Sequence, residues 1–250
     1  MISFPNAKIN LGLHITRKRP DGYHDIESVL YPVELCDVLE IIEAKSLHFQ
    51  SSGLSIQGDE ESNLVIRAYR HLQADFQLPP VSIHLHKVIP MGAGLGGGSS
   101  DAAFALKMLN TLFDLRLSID QLEQYAAKLG SDCPFFIENC PKLVTDTGTR
   151  LQPIDLDLSG FRIELVHPAA HVSTAGAYSM VTPKQPRCAL AEVLKLPVHK
   201  WQDKLVNDFE EPMQAKFPEI KRAKDSLLVR GAEYAAMSGS GSSVFGIFKK

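Results

Sequence analysis

The chain of 250 residues is 44% hydrophobic and 22% charged, a composition that is ordinary for a soluble globular protein with a substantial core. Its formal net charge of −3 argues against binding to a nucleic-acid polymer or an anionic membrane, because both attract basic surfaces. The first residues carry no basic segment ahead of an apolar core, and no apolar run reaches the ~18 residues of a membrane span, so we expect a cytoplasmic protein.

The first half of the chain predicts strands and helices in alternation. Period-two patterns and β-branched residues predict strands at 4–13, at 26–42 in one or two pieces, at 47–56 as a hairpin arm, and at 81–89. Asn63 and Ser118 have side chains suited to helix N-caps. Apolar stripes predict the two helices that these residues begin, and a third helix over 100–113.

A composition shift marks the second half. Pro153 and Gly160 surround two acidic residues, which is typical of a connection between domains. We therefore expect an N-terminal nucleotide-binding domain over 1–152 and a C-terminal domain over 153–250. The second domain is predicted to contain a strand at 161–166, helices at 175–180, 189–194 and 209–217, and a strand after a glycine turn at 238–241.

Residues 90–103, PMGAGLGGGSSDAA, are the most informative segment of the chain. Five glycines in seven positions let consecutive backbone N–H groups converge between a predicted strand and a predicted helix, which predicts a cradle for phosphate. A P-loop is excluded because Ser99, not lysine, follows Gly98. A Rossmann turn is disfavoured because no acidic residue ends a second strand about twenty positions later. A flexible Gly/Ser linker is the remaining alternative.

Three separated segments resemble the GHMP small-molecule kinases. They are PNAKINL at 5–11, the loop at 90–103, and MSGSG at 237–241. Three further segments are similar to the members of that family that phosphorylate a CDP-linked methylerythritol with ATP, and they are DGYH at 21–24, GSDCPFF at 130–136 and NDFE at 207–210. The resemblance implies that reaction, at the 2-hydroxyl of the acceptor, in non-mevalonate isoprenoid synthesis.

The resemblance implies an α+β, two-domain GHMP kinase fold. The N-terminal domain would be ribosomal protein S5 domain 2-like and the C-terminal domain ferredoxin-like, with the active site in the cleft between them. It also implies a left-handed βαβ crossover in the first domain, although handedness rules favour the opposite hand. The partners implied are small molecules, ATP and CDP-methylerythritol, and we expect a monomer or a weak homodimer.

The resemblance assigns catalysis to Asp132 and Lys8. It implies that Asp132 is the base that accepts the proton of the acceptor hydroxyl, and that Lys8 pairs with it near the phosphate. From the residues alone, Asp132 fits equally well as a turn residue before Pro134. Lys8 fits a solvated lysine at a strand edge.

The resemblance also implies a nucleotide site. Backbone N–H groups of the glycine loop would hold the triphosphate of ATP, and Ser99 and Ser100 would offer hydroxyls to phosphate or to the Mg²⁺ that accompanies it. The expected ATP-binding residues are Asn63, Leu64, Lys87, Pro90, Met91, Gly92, Ala93, Gly94, Leu95, Gly96, Gly97, Gly98, Ser99, Ser100 and Asp101. Without the resemblance, Asp101 also fits an ordinary residue in the first turn of a helix. Lys87 also fits an exposed lysine at the end of a strand. The second glycine turn consists of Ser238, Gly239, Ser240 and Gly241.

The acceptor site follows from the same resemblance. Tyr23 would stack on the cytosine, His24 would hydrogen-bond it, and Tyr178 would lie on the opposite face, with Thr174 near the substrate and Asn10 at the erythritol portion. Ordinary packing is the alternative for an aromatic residue beside a histidine.

Two other functions stay open. Kinases of mevalonate or homoserine are the first alternative, but their acceptors carry no base for Tyr23 and His24 to bind. A non-catalytic nucleotide-binding module is the second, and it would need the phosphate cradle without Lys8 and Asp132.

No metal site made by the protein alone is predicted. The four cysteines form no C-x-x-C pair, and His84 and His86 are expected on a solvated strand face. The chain departs from the family pattern after Phe136, where a glycine is common and residues 138–141 are ENCP. Cys133 replaces a residue that is usually aliphatic.

Overall fold

The computed structural model describes residues 1–170, 173–186 and 188–250. The strands are β1 Ile2–Ser3, β2 Asn6–Lys18, β3 His24–Cys36, β4 Val38–Glu43, β5 His48–Gly53, β6 Val81–Lys87, β7 Lys142–Thr145, β8 Arg150–Pro153, β9 Phe161–Val166, β10 Tyr234–Met237 and β11 Val244–Lys249. The helices are α1 Leu64–Phe76, α2 Gly97–Leu112, α3 Ile119–Ala127, α4 Phe135–Glu138, α5 Thr174–Tyr178, α6 Leu190–Leu194, α7 Glu210–Lys216 and α8 Pro218–Val229.

The described chain divides into two compact units. Unit 1 consists of Met1–Ala7, Glu34–Met91 and Gly96–Cys140, and unit 2 consists of Lys8–Val33, Gly92–Leu95 and Pro141–Lys250. The chain therefore passes between the units several times, once within the glycine loop. The division into domains at 1–152 and 153–250 stays a prediction.

Unit 1 contains a four-stranded sheet in the order β1-β4-β6-β5. The predicted hairpin arm is wrong, because β5 pairs with β6 in parallel. A two-residue turn joins only antiparallel strands, and here α1 forms the connection that parallel strands need. The β5-α1-β6 segment is thus a βαβ unit, as the family resemblance implies, and its left-handedness stays a prediction.

Helix starts in unit 1 follow from side-chain chemistry. The Asn63 Oδ1 accepts a hydrogen bond from the Val65 N–H at 2.9 Å, which confirms it as the N-cap of α1. Ser118 and Gln121 form a reciprocal capping box at α3. Helix α2 begins at Gly97, earlier than predicted. A Cβ at Gly97 would lie 2.8 Å from the Ile89 Cγ2 and 2.9 Å from the Lys87 Nζ, so the packing there requires glycine.

Unit 2 contains two antiparallel sheets. One has the order β2-β3-β7-β8 and the other β10-β11-β9. Helix α8 packs on the second sheet, and buried residues of both elements belong to one hydrophobic core. The predicted strand at 161–166 and the strand after the second glycine turn are confirmed. None of the described helices has the length and apolar character needed to cross a membrane.

Candidate functional site

The ammonium group of Lys8 is held inside unit 2. Lys8 and Asn10 are two residues apart on β2 and therefore lie on the same face of the strand. Lys8 is 4% exposed, and its Nζ donates to the Asn10 Oδ1 at 2.7 Å and to the Gly94 carbonyl at 3.2 Å. The Asn10 Nδ2 donates in turn to the Ser28 Oγ at 2.8 Å. Burying a charge is costly unless its hydrogen bonds are made, so these oxygens fix where the charge lies.

The second glycine turn lies against the same group. The Ser238 Oγ donates to the Gly94 carbonyl at 2.8 Å and accepts from the Asn10 N–H at 3.3 Å. Gly94 has φ +77°, and a Cβ there would clash with the Ser238 carbonyl oxygen, so this close approach requires glycine. Three predicted motifs that are distant in sequence thus meet in one hydrogen-bond network.

The other part of the glycine loop begins α2 in unit 1. Gly96, with φ +70°, is the N-cap residue, and the first helical hydrogen bond runs from the Ser100 N–H to its carbonyl. The N–H groups of the residues between them have no acceptor within the helix. Together with the helix dipole, they favour an anion at this point. Leu64, at the start of α1, approaches the same turn, because a Cβ on Gly98 would lie 3.9 Å from its Cδ1.

Lys87 is not an exposed lysine at a strand end. It is 2% exposed, and its ammonium forms ion pairs with Asp37 and with Asp101, the latter at 2.7 Å. The Asp37 Oδ1 also accepts the N–H groups of Val88 and Ile89, at 2.5 and 2.8 Å. Asp37 was not predicted as a site residue. The cluster joins the segment entering the glycine loop to the first turn of α2.

Asp101 is the carboxyl of this cluster whose protonation changes near neutral pH. Burial raises its pKa to about 7, and the nearby Lys87 ammonium only partly opposes that rise. The Asp101 Oδ1 is buried and has no hydrogen-bond partner in the part of the chain that the structure describes. It lies in the first turn of α2, next to the N–H groups that have no acceptor within the helix.

Asp101→Asn is expected to flatten the pH dependence of the free energy of unfolding between about pH 4 and 7. With a raised pKa, native Asp101 keeps a proton that the unfolded chain has lost, so the contribution of this residue to the free energy of unfolding falls as pH rises through this window. Asparagine has no such proton, and every other group titrates in both proteins. Urea unfolding at several pH values measures the free energy of unfolding of both proteins. Its change across this pH range should differ between them by roughly 1–4 kcal/mol. Identical slopes would mean that Asp101 does not titrate there.

Asp132 lies between α3 and α4 in unit 1 and is half-buried. The next residue, Cys133, is fully buried, and burial raises the pKa of its thiol to about 11, although a hydrogen bond with Ser99 opposes this. The thiol therefore stays protonated and is not a nucleophile at neutral pH. The contact with Ser99 places the Asp132 segment against the first turn of α2.

Asn139 explains how the chain ends α4 without the glycine that is common after Phe136 in the family. Asn139 follows α4 with φ +56°, the left-handed conformation in which glycine is common and asparagine is tolerated. Its side chain and that of Asn6 exchange hydrogen bonds at 2.7 and 3.3 Å. Asn139 thus ends the helix in the left-handed conformation that glycine would otherwise adopt there.

All of the predicted acceptor residues are in unit 2, where Asn10 is buried in the Lys8 network and the others are exposed or half-buried. The rings of His24 and Tyr178 stack with centroids 4.8 Å apart, and the rings of Tyr178 and Phe209 are nearly perpendicular with centroids 4.9 Å apart. Tyr23 is 68% exposed, so its ring is available to a ligand. Thr174 is the exposed first residue of α5. Phe209 was not predicted as a site residue, although it belongs to the NDFE segment.

Metal-binding side chains do not cluster within the described residues, where no group of three His, Cys, Asp or Glu could hold an ion. His84 and His86 both contact the Ser52 hydroxyl, each at 2.9 Å.

Family models match both halves of the chain. The GHMP kinases N terminal domain matches residues 63–139, and GHMP kinases C terminal matches residues 191–250. The chain is 51% identical over 250 residues to 4-diphosphocytidyl-2-C-methyl-D-erythritol kinase of Parabacteroides distasonis, covering 100% of this chain and 92% of that protein. It is 53% identical over 249 residues to the kinase of the same name from Cytophaga hutchinsonii, covering 99% and 92%.

Solved structures give the same result. A crystal structure of 4-(cytidine 5'-diphospho)-2C-methyl-D-erythritol kinase matches with a TM-score of 0.86 and 34% identity, over 99% of this chain and 90% of that one. The Methanococcus jannaschii mevalonate kinase matches with a TM-score of 0.70 and 14% identity, over 100% and 90%, and shares the fold.

Proposed function

The chain belongs to the GHMP kinases and, within them, to the 4-diphosphocytidyl-2-C-methyl-D-erythritol kinases, and we propose that Lys8 and Asp132 carry out its phosphoryl transfer. As a member of that family, it phosphorylates the 2-hydroxyl of 4-diphosphocytidyl-2-C-methyl-D-erythritol with ATP in the non-mevalonate route to isoprenoids. Mevalonate and homoserine kinases share the fold, but at 14–17% identity they are not close relatives of this chain.

The reaction sets the roles of the two residues. The acceptor oxygen forms a bond to the γ-phosphorus while the bond to ADP breaks, and the hydroxyl proton must pass to a base. We assign that base to the Asp132 carboxylate. Lys8 would orient the acceptor oxygen and balance the charge on the transferred phosphoryl oxygens.

The hydrogen-bond network around Lys8 carries this proposal. The Asn10 Oδ1 and the Gly94 carbonyl accept hydrogen bonds from the ammonium and so help to fix its position. Gly94 belongs to the glycine loop, which ties the position of the charge to the loop that would hold the triphosphate. A lysine serving only solubility would not be buried in this way.

Mg²⁺ is expected with the nucleotide, where it would neutralise part of the charge on the phosphates. Mg²⁺ keeps several waters and needs only one or two protein oxygens besides phosphate. The first turn of α2 fits this, because the Ser100 Oγ and the Asp101 Oδ1 are buried oxygens without a hydrogen-bond partner among the described residues. We assign Mg²⁺ binding to these two residues together with the phosphates.

We propose that the cytosine stacks on Tyr23 and is hydrogen-bonded by His24, with Tyr178, whose ring stacks on that of His24, on the opposite face of the base. Tyr23→Ala should raise KM for the cytidylyl acceptor, because a stack of a base on an aromatic ring contributes roughly 1–3 kcal/mol. KM for ATP should stay nearly unchanged. Initial rates with each substrate varied in turn measure both values. A higher KM for ATP with no change for the acceptor would mean that Tyr23 faces the other nucleotide.

The remaining expectations about partners follow from the reaction. Both substrates are small anionic molecules, and a formal net charge of −3 gives the chain no overall attraction for an anionic polymer. We propose a cytoplasmic enzyme that acts as a monomer or a weak homodimer.

A further inference from the structure

The segment Asn207–Glu210, NDFE, joins the parts of unit 2 that carry the Lys8 network, and the reaction described above gives it no role. Its backbone lies along β2, with hydrogen bonds from the Leu13 N–H to the Val206 carbonyl and from the Asp208 N–H to the Leu13 carbonyl, at 2.9 and 2.8 Å. Asn207 is 3% exposed. The segment is therefore fixed to the strand that carries Lys8 and Asn10.

The Asn207 side chain binds the backbone on both sides of Ser238. Its Nδ2 donates to the Met237 carbonyl and to the Gly239 carbonyl, each at 2.8 Å, and its Oδ1 accepts from the Phe209 N–H at 3.0 Å. Both amide hydrogens are thus used, which fixes the orientation of the group. These side-chain bonds are additional to the backbone hydrogen bonds that pair β10, which ends at Met237, with β11.

Glu210 adds a third bond to the same turn. Its Oε2 accepts from the Met237 N–H at 2.8 Å, and its Oε1 forms an ion pair with Lys224. Asn207 and Glu210 together therefore bind three backbone groups of the residues that flank Ser238.

Ser238 transmits this constraint to Lys8. Its hydroxyl donates to the Gly94 carbonyl, which also accepts from the Lys8 Nζ. A shift of Ser238 would move the Gly94 oxygen and so the position of the ammonium. Displacements of about 1 Å in a reacting group can cost on the order of 10²-fold in rate.

We propose that Asn207 is a positioning residue for phosphoryl transfer, which holds Lys8 in place through the backbone of the Ser238 turn. This rests on the proposed role of Lys8. Asn207 itself touches no reacting atom in this account, so its effect must appear through Lys8. This dependence on Lys8 distinguishes a positioning role from a purely structural one, in which replacing Asn207 would lower the stability of the fold and leave kcat unchanged.

The test begins with Asn207→Asp, which keeps the shape and replaces the amide donor by an oxygen that repels both carbonyls. We expect kcat to fall about 10–100-fold, with KM for each substrate changing less than about threefold. Asn207→Ala removes the donor without adding charge and should show the same pattern if the aspartate variant does not fold. The matched control is Asn110→Asp, since Asn110 binds the backbone of Leu117 at the far end of α2. It should lower the melting temperature and leave kcat unchanged.

The decisive comparison repeats Asn207→Asp in a Lys8→Ala background. If Asn207 acts through Lys8, the second change should lower kcat by less than about threefold. A loss of the same factor in both backgrounds would overturn the proposal, as would an unchanged kcat in Asn207→Asp with a lower melting temperature. Wild-type turnover in Lys8→Ala alone would instead overturn the proposed role of Lys8. The single variant therefore distinguishes failure of that role from failure of the proposal for Asn207.

Discussion

Asp132→Asn is expected to lower kcat by about 10²–10⁴-fold, the contribution of a positioned general base. The amide keeps the shape of the carboxylate and cannot accept the proton that the acceptor hydroxyl releases as the new P–O bond forms. Both substrates should still bind, because the glycine loop and the aromatic rings of Tyr23 and Tyr178 are unchanged. Steady-state release of ADP gives kcat, and calorimetry gives the two binding constants.

The matched control for this variant is Asp120→Asn. Asp120 is an exposed carboxylate in the first turn of α3, in the same unit as Asp132, and should affect turnover little. Near-normal kcat in Asp132→Asn would remove proton transfer to this residue from the mechanism. The enzyme would then work by positioning and electrostatics alone.

Lys8→Ala should lower kcat by at least about 10²-fold, because the variant loses a charge that the folded chain holds in one place. The double variant with Asp132→Asn should lose little more, since residues that serve one step are not additive. Lys8→Arg should not restore full activity, because a planar guanidinium cannot occupy the position of a compact ammonium. Single-turnover rates at saturating substrates measure each effect on the chemical step.

Lys45→Ala controls for the loss of a lysine elsewhere, since Lys45 is exposed between β4 and β5. It should leave the single-turnover rate unchanged. A double variant whose losses multiply would show that Lys8 and Asp132 serve separate steps.

The secondary structure around the glycine loop was predictable because its signals are local, whereas phosphate binding there stays a prediction. Glycine density, the preceding alternating strand and the following helix all lie within one short segment, and the structure confirms a strand, a loop and a helix there. The start of α2 was misplaced because glycine is a poor helix former, and the packing against Ile89 and Lys87 that requires glycine at 97 depends on tertiary structure. The pairing of β5 with β6 was missed for the same reason, since alternation predicts a strand but not its partner.

The burial of Lys87 had a signal in the sequence. Val81, Ile83, Leu85 and Lys87 occupy one face of β6, and all four are buried. Period-two spacing therefore placed Lys87 on the core face, where a charge needs partners. Its partner Asp37 had no such signal, because a single aspartate between two strands is typical of an ordinary connection.

Residues that act through the backbone were the least predictable. Asn139 replaces a glycine because its φ is positive, which no local pattern reveals. Asn207 and Glu210 belong to a segment recognised by family resemblance, but their contacts with the Ser238 turn depend on how distant segments pack in unit 2.

The most direct test of the central claim is a comparison of acceptors. The wild-type protein is incubated with ATP, Mg²⁺ and either 4-diphosphocytidyl-2-C-methyl-D-erythritol, mevalonate or homoserine, and phosphorus NMR follows the products. We expect ADP and a new phosphomonoester at the 2-hydroxyl with the cytidylyl acceptor, and negligible transfer to the other two. Preferential phosphorylation of mevalonate or homoserine, or transfer to none of the three, would contradict the account.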